Sequence, residues 1–383
     1  MNILYITNLF GVIGSSAAVR NSALIKGLVR NGHTVDVLTI QHPKDKLSKF
    51  LCSCGYNNLF SIEMGITNIL QRTSKIQKKV NSSVLKNWKK MFREIVFFPD
   101  IFIRWADKIT PSDYRDYDVI ISSSDYKSSH FVAKKIKEAF PEKRWIQIWG
   151  DPWSLDSTLT RVSHFRAKYA ERKLFCRADK IVFVSELTCD ALVKMYPCYS
   201  KKMCYIPRSY YQEINVLRKE GKQVYDVVYT GSLGVGRNFE NFLCAVKEFN
   251  TRNKCLFKVH FYGNYSNELM DKLQKFDFVT VNGTVDYEEV LKLFSQMDAL
   301  LFISNKSTST QIPGKLFDYF GTNLPIICVT HDNANLRDFL ARHSKCLLFQ
   351  ENFVSVANRI INESFEVERG YSPENIAKDI LSV

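Results

Sequence analysis

Long apolar runs are absent from this sequence, and proline and glycine are scarce. The chain has 383 residues with only 10 prolines and 16 glycines, while 45% of the residues are hydrophobic and 24% are charged. This composition excludes collagen-like and disordered chains and is typical of globular proteins with two or three domains. A membrane-spanning helix needs about 20 consecutive apolar residues, and the stretch Ile95–Ile103 is interrupted by Pro99 and Asp100. We therefore expect no such helix.

Cysteine and histidine do not occur at the spacings that hold zinc. The ten cysteines are scattered, and Cys52 and Cys54 have no second pair beside them, so we expect neither a zinc site nor a disulfide framework. Asp116 and Asp118 stand at the amino end of a predicted strand, away from the edge where ligands bind, and we expect no metal there. Met1–Thr7 has the pattern of a first strand, so we expect no secretion signal and a cytoplasmic protein.

Positive charge is concentrated in the first half of the chain. The formal net charge is +14. Residues 1–207 contain 33 lysines and arginines against 18 acidic residues, whereas residues 208–383 contain 20 against 21. Such an asymmetry indicates that the first half faces an anionic partner.

The densest basic segment is Arg72–Arg93, which has eight basic residues and no acidic one. Its apolar residues recur every three or four positions, which predicts one apolar helical face. Two interpretations remain open. The helix lies on an anionic membrane surface, or it is a solvated helix whose apolar face covers the first sheet. A nucleic-acid partner is disfavoured, because aromatic residues do not alternate with the basic ones and no recognition motif is present.

Short apolar runs alternate with amphipathic stretches along the whole chain. Predicted strands of the first half are Ile3–Thr7, Thr34–Thr39, Val119–Ser122, Trp145–Trp149 and Ile181–Val184. Predicted strands of the second half are Asp226–Tyr229, Lys258–Tyr262, Thr280–Asn282, Ala299–Ile303, Pro325–Val329 and Cys346–Phe349. Strands that alternate with helices predict doubly wound parallel sheets, so we expect an α/β protein with two Rossmann-like domains.

The boundaries follow from where this pattern lapses. We predict a first domain over 1–207, a linker over 208–223, a second domain over 224–371, and a helix over 372–383 that packs back on the first domain. Ligands of open parallel sheets bind at the carboxyl ends of the strands. Two such sheets are therefore expected to face a cleft, with an acceptor on the first domain and a phosphorylated donor on the second.

In the first half, two segments follow predicted strands. The loop around Gly14 and Ser15, which leads to a helix with Arg20, has the small residues that let backbone amides approach a phosphate or sugar oxygen; a tight turn explains it equally well. Asp151 follows the strand Trp145–Trp149 and has the position of a base that accepts a proton from a hydroxyl, although aspartate before proline is also common in turns.

In the second half, the segment Tyr229–Asn238 ends a strand with glycines and an arginine. It lacks the ending of a P-loop, but Gly231 and Arg237 suit a pyrophosphate, since arginine makes charge-assisted, bidentate contacts. The alternative is a glycine turn with a solvated arginine.

A second such segment begins at Ile312. Pro313 and Gly314 suit a first helical turn, Lys315 adds a positive charge, and Asp318 stands one turn later on the same face. A carboxylate there would accept the ribose hydroxyls; the alternative is a surface aspartate near a helix start.

With these motifs in order, the sequence resembles the glycosyltransferases of the two-Rossmann-domain (GT-B) type, above all family 4 of retaining enzymes that use nucleotide sugars. The likeness spans nearly the whole chain. It is carried by the glycine loop with Ala17–Arg20, by Asn31–Thr39, Ile181–Glu186, Tyr229–Asn238, Phe261–Gly263, Val281–Gly283 and Ile312–Val329.

The resemblance implies roles for individual residues. Arg237 and Lys315 would hold the donor diphosphate together with Gly231, Pro313 and Gly314, Asp318 would bind the ribose, and Val285 would line the base site. Gly14, Ser15 and Arg20 would approach the acceptor or a phosphate, and Asp151, Arg237 and Lys315 would be the catalytic set. It also implies a hexosyltransferase that needs no metal or other cofactor and retains anomeric configuration.

Three positions depart from the family pattern. Thr310 stands where the family often has the first of two acids, Ser232 stands where a basic residue often follows the glycine, and the usual histidine of the first domain is replaced by the region of Asp151. This aspartate-containing pattern resembles the polysaccharide-assembly branch of the family.

The hypothesis is therefore transfer of a sugar from a UDP- or GDP-linked donor to a glycan or polyprenyl-linked glycan, as in the biosynthesis of a capsule or O-antigen. Two alternatives stay open. One is a UDP-sugar epimerase of the same fold, which needs no acceptor. The other is a non-catalytic scaffold on a membrane surface.

Overall fold

The structure is a computed structural model that describes residues 1–65, 97–156, 158–218, 221–233, 239–304, 312–330 and 334–383. The predicted basic helix over 72–93 lies outside the described residues. The chain divides into two compact units, Met1–Ser209 with Pro373–Val383, and Tyr210–Ser372. None of the helices described is long and apolar enough to cross a membrane.

The first unit contains a parallel sheet. Its strands are β1 Asn2–Thr7, β2 Thr34–Ile40, β3 Leu59–Ile62, β4 Val119–Ser124, β5 Arg144–Trp149, β6 Lys180–Phe183 and β7 Met203–Tyr205. The spatial order is β3-β2-β1-β4-β5-β6-β7, and all neighbouring strands in this order are parallel. Residues Ile3–Ile6 of β1 are fully buried, as expected for a central strand covered on both faces.

Helices accompany these strands in the described part of the first unit. They are α1 Ser16–Arg30, α2 Lys49–Cys52, α3 Ser128–Ala139, α4 Arg161–Phe175, α5 Glu186–Met195 and the C-terminal helix Pro373–Ser382, with short 3-10 helices at Lys44–Lys46, Ile103–Lys108, Pro111–Tyr114 and Pro197–Lys202. The C-terminal helix packs on α1, where Gly27 touches the Pro373 backbone so closely that a Cβ atom has no room.

The second unit repeats the plan. Its strands are β8 Val224–Thr230, β9 Leu256–Tyr262, β10 Val279–Asn282, β11 Ala299–Ile303, β12 Ile326–Val329 and β13 Cys346–Phe349, in the parallel order β10-β9-β8-β11-β12-β13. Its helices are α6 Glu240–Arg252, α7 Asn267–Leu273, α8 Tyr287–Phe294, α9 Gly314–Phe320, α10 Ala334–Ala341 and α11 Phe353–Asn362, with a 3-10 helix at Arg369–Tyr371. The prediction of two Rossmann-like parallel-sheet domains is confirmed.

The segment predicted as a linker is divided between the units. Ser209 belongs to the first unit and Tyr210 to the second. Ile214 pairs with Thr322 in an isolated bridge, and its N–H donates to the Gly321 carbonyl at 2.8 Å. This polar stretch is therefore fastened to the second unit by backbone hydrogen bonds, which its composition does not reveal.

Candidate functional site

The strand order of each sheet marks one place for a ligand. In an open parallel sheet, ligands bind outside the carboxyl ends of the strands, where the strand order reverses. That point lies between β8 and β11 in the second unit and between β1 and β4 in the first. Both places hold charged side chains.

In the second unit, Gly231 directly follows β8 with a φ of +113°, which favours glycine. Its N–H donates to the Tyr262 carbonyl at 2.8 Å, and its own carbonyl accepts from the Tyr265 hydroxyl at 3.1 Å. A Cβ on Gly263 would lie 2.5 Å from the same carbonyl. The ends of β8 and β9 thus approach each other through two glycines, and a side chain at Gly263 would disturb this contact.

Lys315, the second residue of α9, reaches this strand end. Its Nζ donates to the Thr230 carbonyl at 2.7 Å and to the Tyr229 hydroxyl at 3.0 Å. The same Nζ lies 4.1 Å from the centroid of the Tyr229 ring, a cation–π contact. A Cβ atom on Gly231 would lie 2.9 Å from Lys315 Nζ. The structure therefore brings two predicted site residues, Gly231 and Lys315, into contact at the carboxyl end of β8.

Asp318 follows one turn later in α9 and is held by a tyrosine. Tyr287, the first residue of α8, donates from its hydroxyl to Asp318 Oδ1 at 2.8 Å, and its ring meets Tyr211 edge-on at 6.0 Å. Val285 is half-buried in the loop between β10 and α8, two residues before Tyr287. Pro313 and Gly314 are half-buried at the start of α9. These predicted donor-site residues thus lie at the start of α9 and in the loop before α8.

Arg237, which the sequence places in the same site, lies outside the described residues, and so does Thr310. Ser232 is described; its carbonyl accepts from the Tyr229 hydroxyl at 3.0 Å.

In the first unit, Arg20 lies in the second turn of α1, the helix that follows the glycine loop. Its Nη2 is 2.9 Å from Asp125 Oδ2 and 3.1 Å from the Ser124 carbonyl at the end of β4. Its guanidinium also fills the space above Gly150. The loop itself behaves as a helix start, because the Ser15 hydroxyl accepts from the Ala18 N–H at 3.2 Å, while Gly14 has a φ of +73° and open space around it.

Asp151 is exposed just beyond β5 and has a charged neighbour. Lys127, which precedes α3, is buried, and its Nζ lies 3.4 Å from the Asp151 carbonyl oxygen. Burial lowers the pKa of Lys127, and the carboxylates of Asp125, Asp151 and Glu171 oppose that lowering. Burial raises the pKa of Asp125, against the effect of Arg20. The carboxyl ends of β4 and β5 thus bring together two basic side chains, Arg20 and Lys127, and two acidic residues, Asp125 and the predicted base Asp151.

Four residues at these two places were not predicted from the sequence pattern: Lys127, Asp125, Tyr229 and Tyr287. A signal for the first two was available, since Asp125 and Lys127 follow the strand Val119–Ser124, and polar residues after a parallel strand lie at the ligand edge. The tyrosines carry no such signal, because their hydroxyls are placed by tertiary packing. Over the described ranges, no group of three metal-ligating side chains is arranged to hold an ion.

The fold is similar to that of known enzymes. A lipopolysaccharide outer core galactosyltransferase, WaaB, matches over 100% of this chain and 98% of its own, with 14% identity and a TM-score of 0.51. HepE of Anabaena, solved in complex with UDP and glucose, matches over 100% and 94%, with 11% identity and a TM-score of 0.53. UDP-GlcNAc 2-epimerase of Neisseria meningitidis, bound to UDP-GlcNAc, matches over 100% and 99%, with 11% identity and a TM-score of 0.55.

No protein-family model matches the sequence, and no curated protein sequence matches it. At these identities the likeness establishes the fold: the chain has the two-Rossmann-domain GT-B fold that glycosyltransferases share with this epimerase.

Proposed function

We propose that the protein is a glycosyltransferase that moves a sugar from a UDP- or GDP-linked donor to a glycan or polyprenyl-linked glycan. The observation that carries the proposal is the fixed cation in the second unit, Lys315 Nζ at 2.7 Å from the Thr230 carbonyl and beside Gly231. The neighbours solved with UDP or a UDP-sugar support a nucleotide sugar as donor.

In the proposed reaction, the bond between the anomeric carbon and the β-phosphate oxygen breaks, and the nucleoside diphosphate leaves with that electron pair. Lys315 stabilises the charge that develops on the departing oxygen, which is the largest catalytic contribution we expect from this unit. Asp318 accepts hydrogen bonds from the ribose hydroxyls. Tyr287 orients the Asp318 carboxylate through the 2.8 Å hydrogen bond from its hydroxyl. Arg237 supplies a second cation by the family resemblance.

The first unit binds the acceptor in this proposal. The acceptor oxygen forms the new bond to the anomeric carbon, and Asp151 takes the acceptor proton. Lys127 lies beside this residue, with its Nζ 3.4 Å from the Asp151 carbonyl oxygen. Gly14 and Ser15 lie at the edge of the sheet where the acceptor binds. Arg20 positions Asp125 through their ion pair.

Retention of configuration and catalysis without a metal are also part of the proposal. Both have a direct measurement. The anomeric proton of the product, observed by NMR against that of the donor, distinguishes retention from inversion. Activity that persists after treatment with EDTA supports the metal-independent reaction, and activity restored only by a divalent cation contradicts it.

The decisive experiment offers the purified chain a panel of UDP- and GDP-sugars and measures nucleoside diphosphate release with and without polyprenyl-linked glycan. A transferase releases more diphosphate with acceptor and forms a larger glycan. A parent protein that binds no nucleotide diphosphate would refute the proposal and favour the non-catalytic scaffold.

A second candidate is a UDP-sugar epimerase, which the likeness to UDP-GlcNAc 2-epimerase favours. An epimerase converts its nucleotide sugar without any acceptor. Incubation with UDP-GlcNAc alone, followed by separation of the nucleotide sugars, distinguishes the two functions.

The proposed pathway is the synthesis of a surface polysaccharide such as a capsule or O-antigen, with the protein on the inner face of the membrane. The basic segment 72–93 is a proposed contact with anionic lipid, and it rests on sequence alone. Neutralising its eight basic residues tests that contact in vesicle sedimentation.

A further inference from the structure

Helix α4 presents an apolar face to solvent. Val162, Phe165 and Tyr169 are 50%, 74% and 58% exposed. They follow one another at spacings of three and four residues, which places them on one side of the helix. The opposite side packs into the unit through Ala167, Ala170 and Leu174 and the other buried residues. Apolar surface of this kind, grouped on one helix face, marks an interaction site.

Basic side chains flank this face. Arg161 and Arg172 are exposed, and Lys168 is half-buried. Lys173 Nζ lies 4.5 Å from the Tyr169 ring centroid. The helix has five basic residues, and its one acidic residue, Glu171, is fully buried and bonded to the Ser154 N–H and the Tyr196 hydroxyl. The exposed face of α4 therefore carries apolar and positively charged groups and no negative one.

The apolar surface continues beyond the helix. Arg166 lies 4.2 Å from the centroid of the Phe98 ring, and the neighbouring Phe97 is 36% exposed. Aromatic rings beside arginine and lysine are the combination that enters the headgroup region of a bilayer, where the rings bury apolar area and the cations meet lipid phosphates.

We propose that the α4 face, defined as Arg161, Val162, Phe165, Lys168, Tyr169 and Arg172, docks the first unit on an anionic lipid bilayer. Charge complementarity favours an anionic bilayer as the partner, because the face has no carboxylate and residues 1–207 carry a net excess of positive charge. The definition of this face includes no residue of segment 72–93.

The position of the face fits an acceptor carried by lipid, a point that rests on the proposed function. Helix α4 begins at Arg161, ten residues after Asp151, and the connecting segment leaves the carboxyl end of β5. The first turn of α4 therefore follows the carboxyl edge of the sheet, where Asp151 lies and where we propose that the acceptor binds.

The test is sedimentation of the full chain with vesicles of phosphatidylcholine, alone or mixed with phosphatidylglycerol, without nucleotide or sugar. We expect binding to the anionic vesicles only, and less of it as salt rises. The double variant Phe165→Ser/Tyr169→Ser should bind about tenfold more weakly or worse, because burial of one aromatic side chain is worth at least a factor of ten. The matched control Val354→Ser, a 45% exposed residue of α11, should bind like the parent.

A second variant tests the same face in case the first one fails to fold. Arg161→Gln/Lys168→Gln/Arg172→Gln keeps the aromatic residues and should lose roughly fivefold in binding per charge. Unfolding midpoints near that of the parent verify the fold of each variant.

The proposal is overturned by equal binding to both vesicle types, by no binding, or by parent-like binding of the Phe165→Ser/Tyr169→Ser protein. It is also overturned if neutralising 72–93 abolishes binding while this variant binds normally. Because no nucleotide is present, these outcomes do not depend on transferase activity.

Discussion

The substitution Lys315→Met removes the cation that we place against the donor diphosphate and keeps most of the side chain's length. In the parent, Nζ donates to the Thr230 carbonyl at 2.7 Å and to the Tyr229 hydroxyl at 3.0 Å. Three donors are available on an ammonium group, and a diphosphate oxygen adjacent to Gly231 would be within reach of the same atom. We expect the substitution to weaken the binding of UDP or GDP.

The magnitude follows from the kind of contact. A hydrogen bond to a charged group contributes about 1.5 to 3 kcal/mol, which corresponds to roughly a 10- to 150-fold loss in affinity. The substitution also leaves the Thr230 carbonyl without this donor. Since Lys315 is half-buried, we expect the folding cost to be at the lower end of about 1 to 3 kcal/mol.

Isothermal titration calorimetry with UDP and with GDP measures the affinity, and thermal unfolding measures the stability. The matched control is Lys292→Met, a lysine of the same unit whose Nζ lies 2.8 Å from Glu288 Oε1 on the exposed side of α8. It should bind nucleotide like the parent. If Lys315→Met is folded and binds UDP and GDP with the parent's dissociation constants, Lys315 does not contact the diphosphate and our site assignment is wrong.

Three further predictions address the ribose contact, the packing of the first unit and a buried lysine. Asp318→Asn should lower the affinity for UDP or GDP about tenfold and leave inorganic pyrophosphate binding unchanged in calorimetry; an equal loss for pyrophosphate would argue against a ribose contact. Gly27→Ala should lower the unfolding midpoint and expose the C-terminal helix to limited proteolysis, because its Cβ would clash with the Pro373 backbone; a parent-like midpoint and digestion pattern would contradict that close packing. Burial lowers the pKa of Lys345 to about 8. The unfolded chain therefore holds an extra proton between about pH 8 and 10.5, so the parent should gain up to about 3 kcal/mol of stability relative to Lys345→Met as the pH rises through this window; a constant difference between the two denaturant midpoints would refute it.

Much of the architecture follows from the sequence alone. The central strands are runs of apolar residues buried on both faces, so their positions and the alternation with helices are visible without any structure. The two edge strands of the first sheet were missed. Leu59–Ile62 is mostly exposed, and Met203–Tyr205 has three residues. A serine interrupts the first of these strands, and the second is shorter than the apolar runs that predict a buried strand.

The candidate donor site was predictable in part. Gly231 and Lys315 follow strands, and the position of a residue after a parallel strand fixes the edge at which it lies. The sequence does not tell which groups meet there. Lys315 reaches a carbonyl 85 residues away, and Tyr287 holds Asp318 across 31 residues.

The sequence by itself determined the two parallel sheets, the basic character of the first half and the loops that end the central strands, because local apolar periodicity and charge are properties of neighbouring residues. The tertiary structure alone decided that Arg20 pairs with Asp125, that Lys127 lies beside Asp151, and that α4 leaves its aromatic face uncovered. Those contacts depend on strand order and helix packing, which bring together side chains that no local pattern relates.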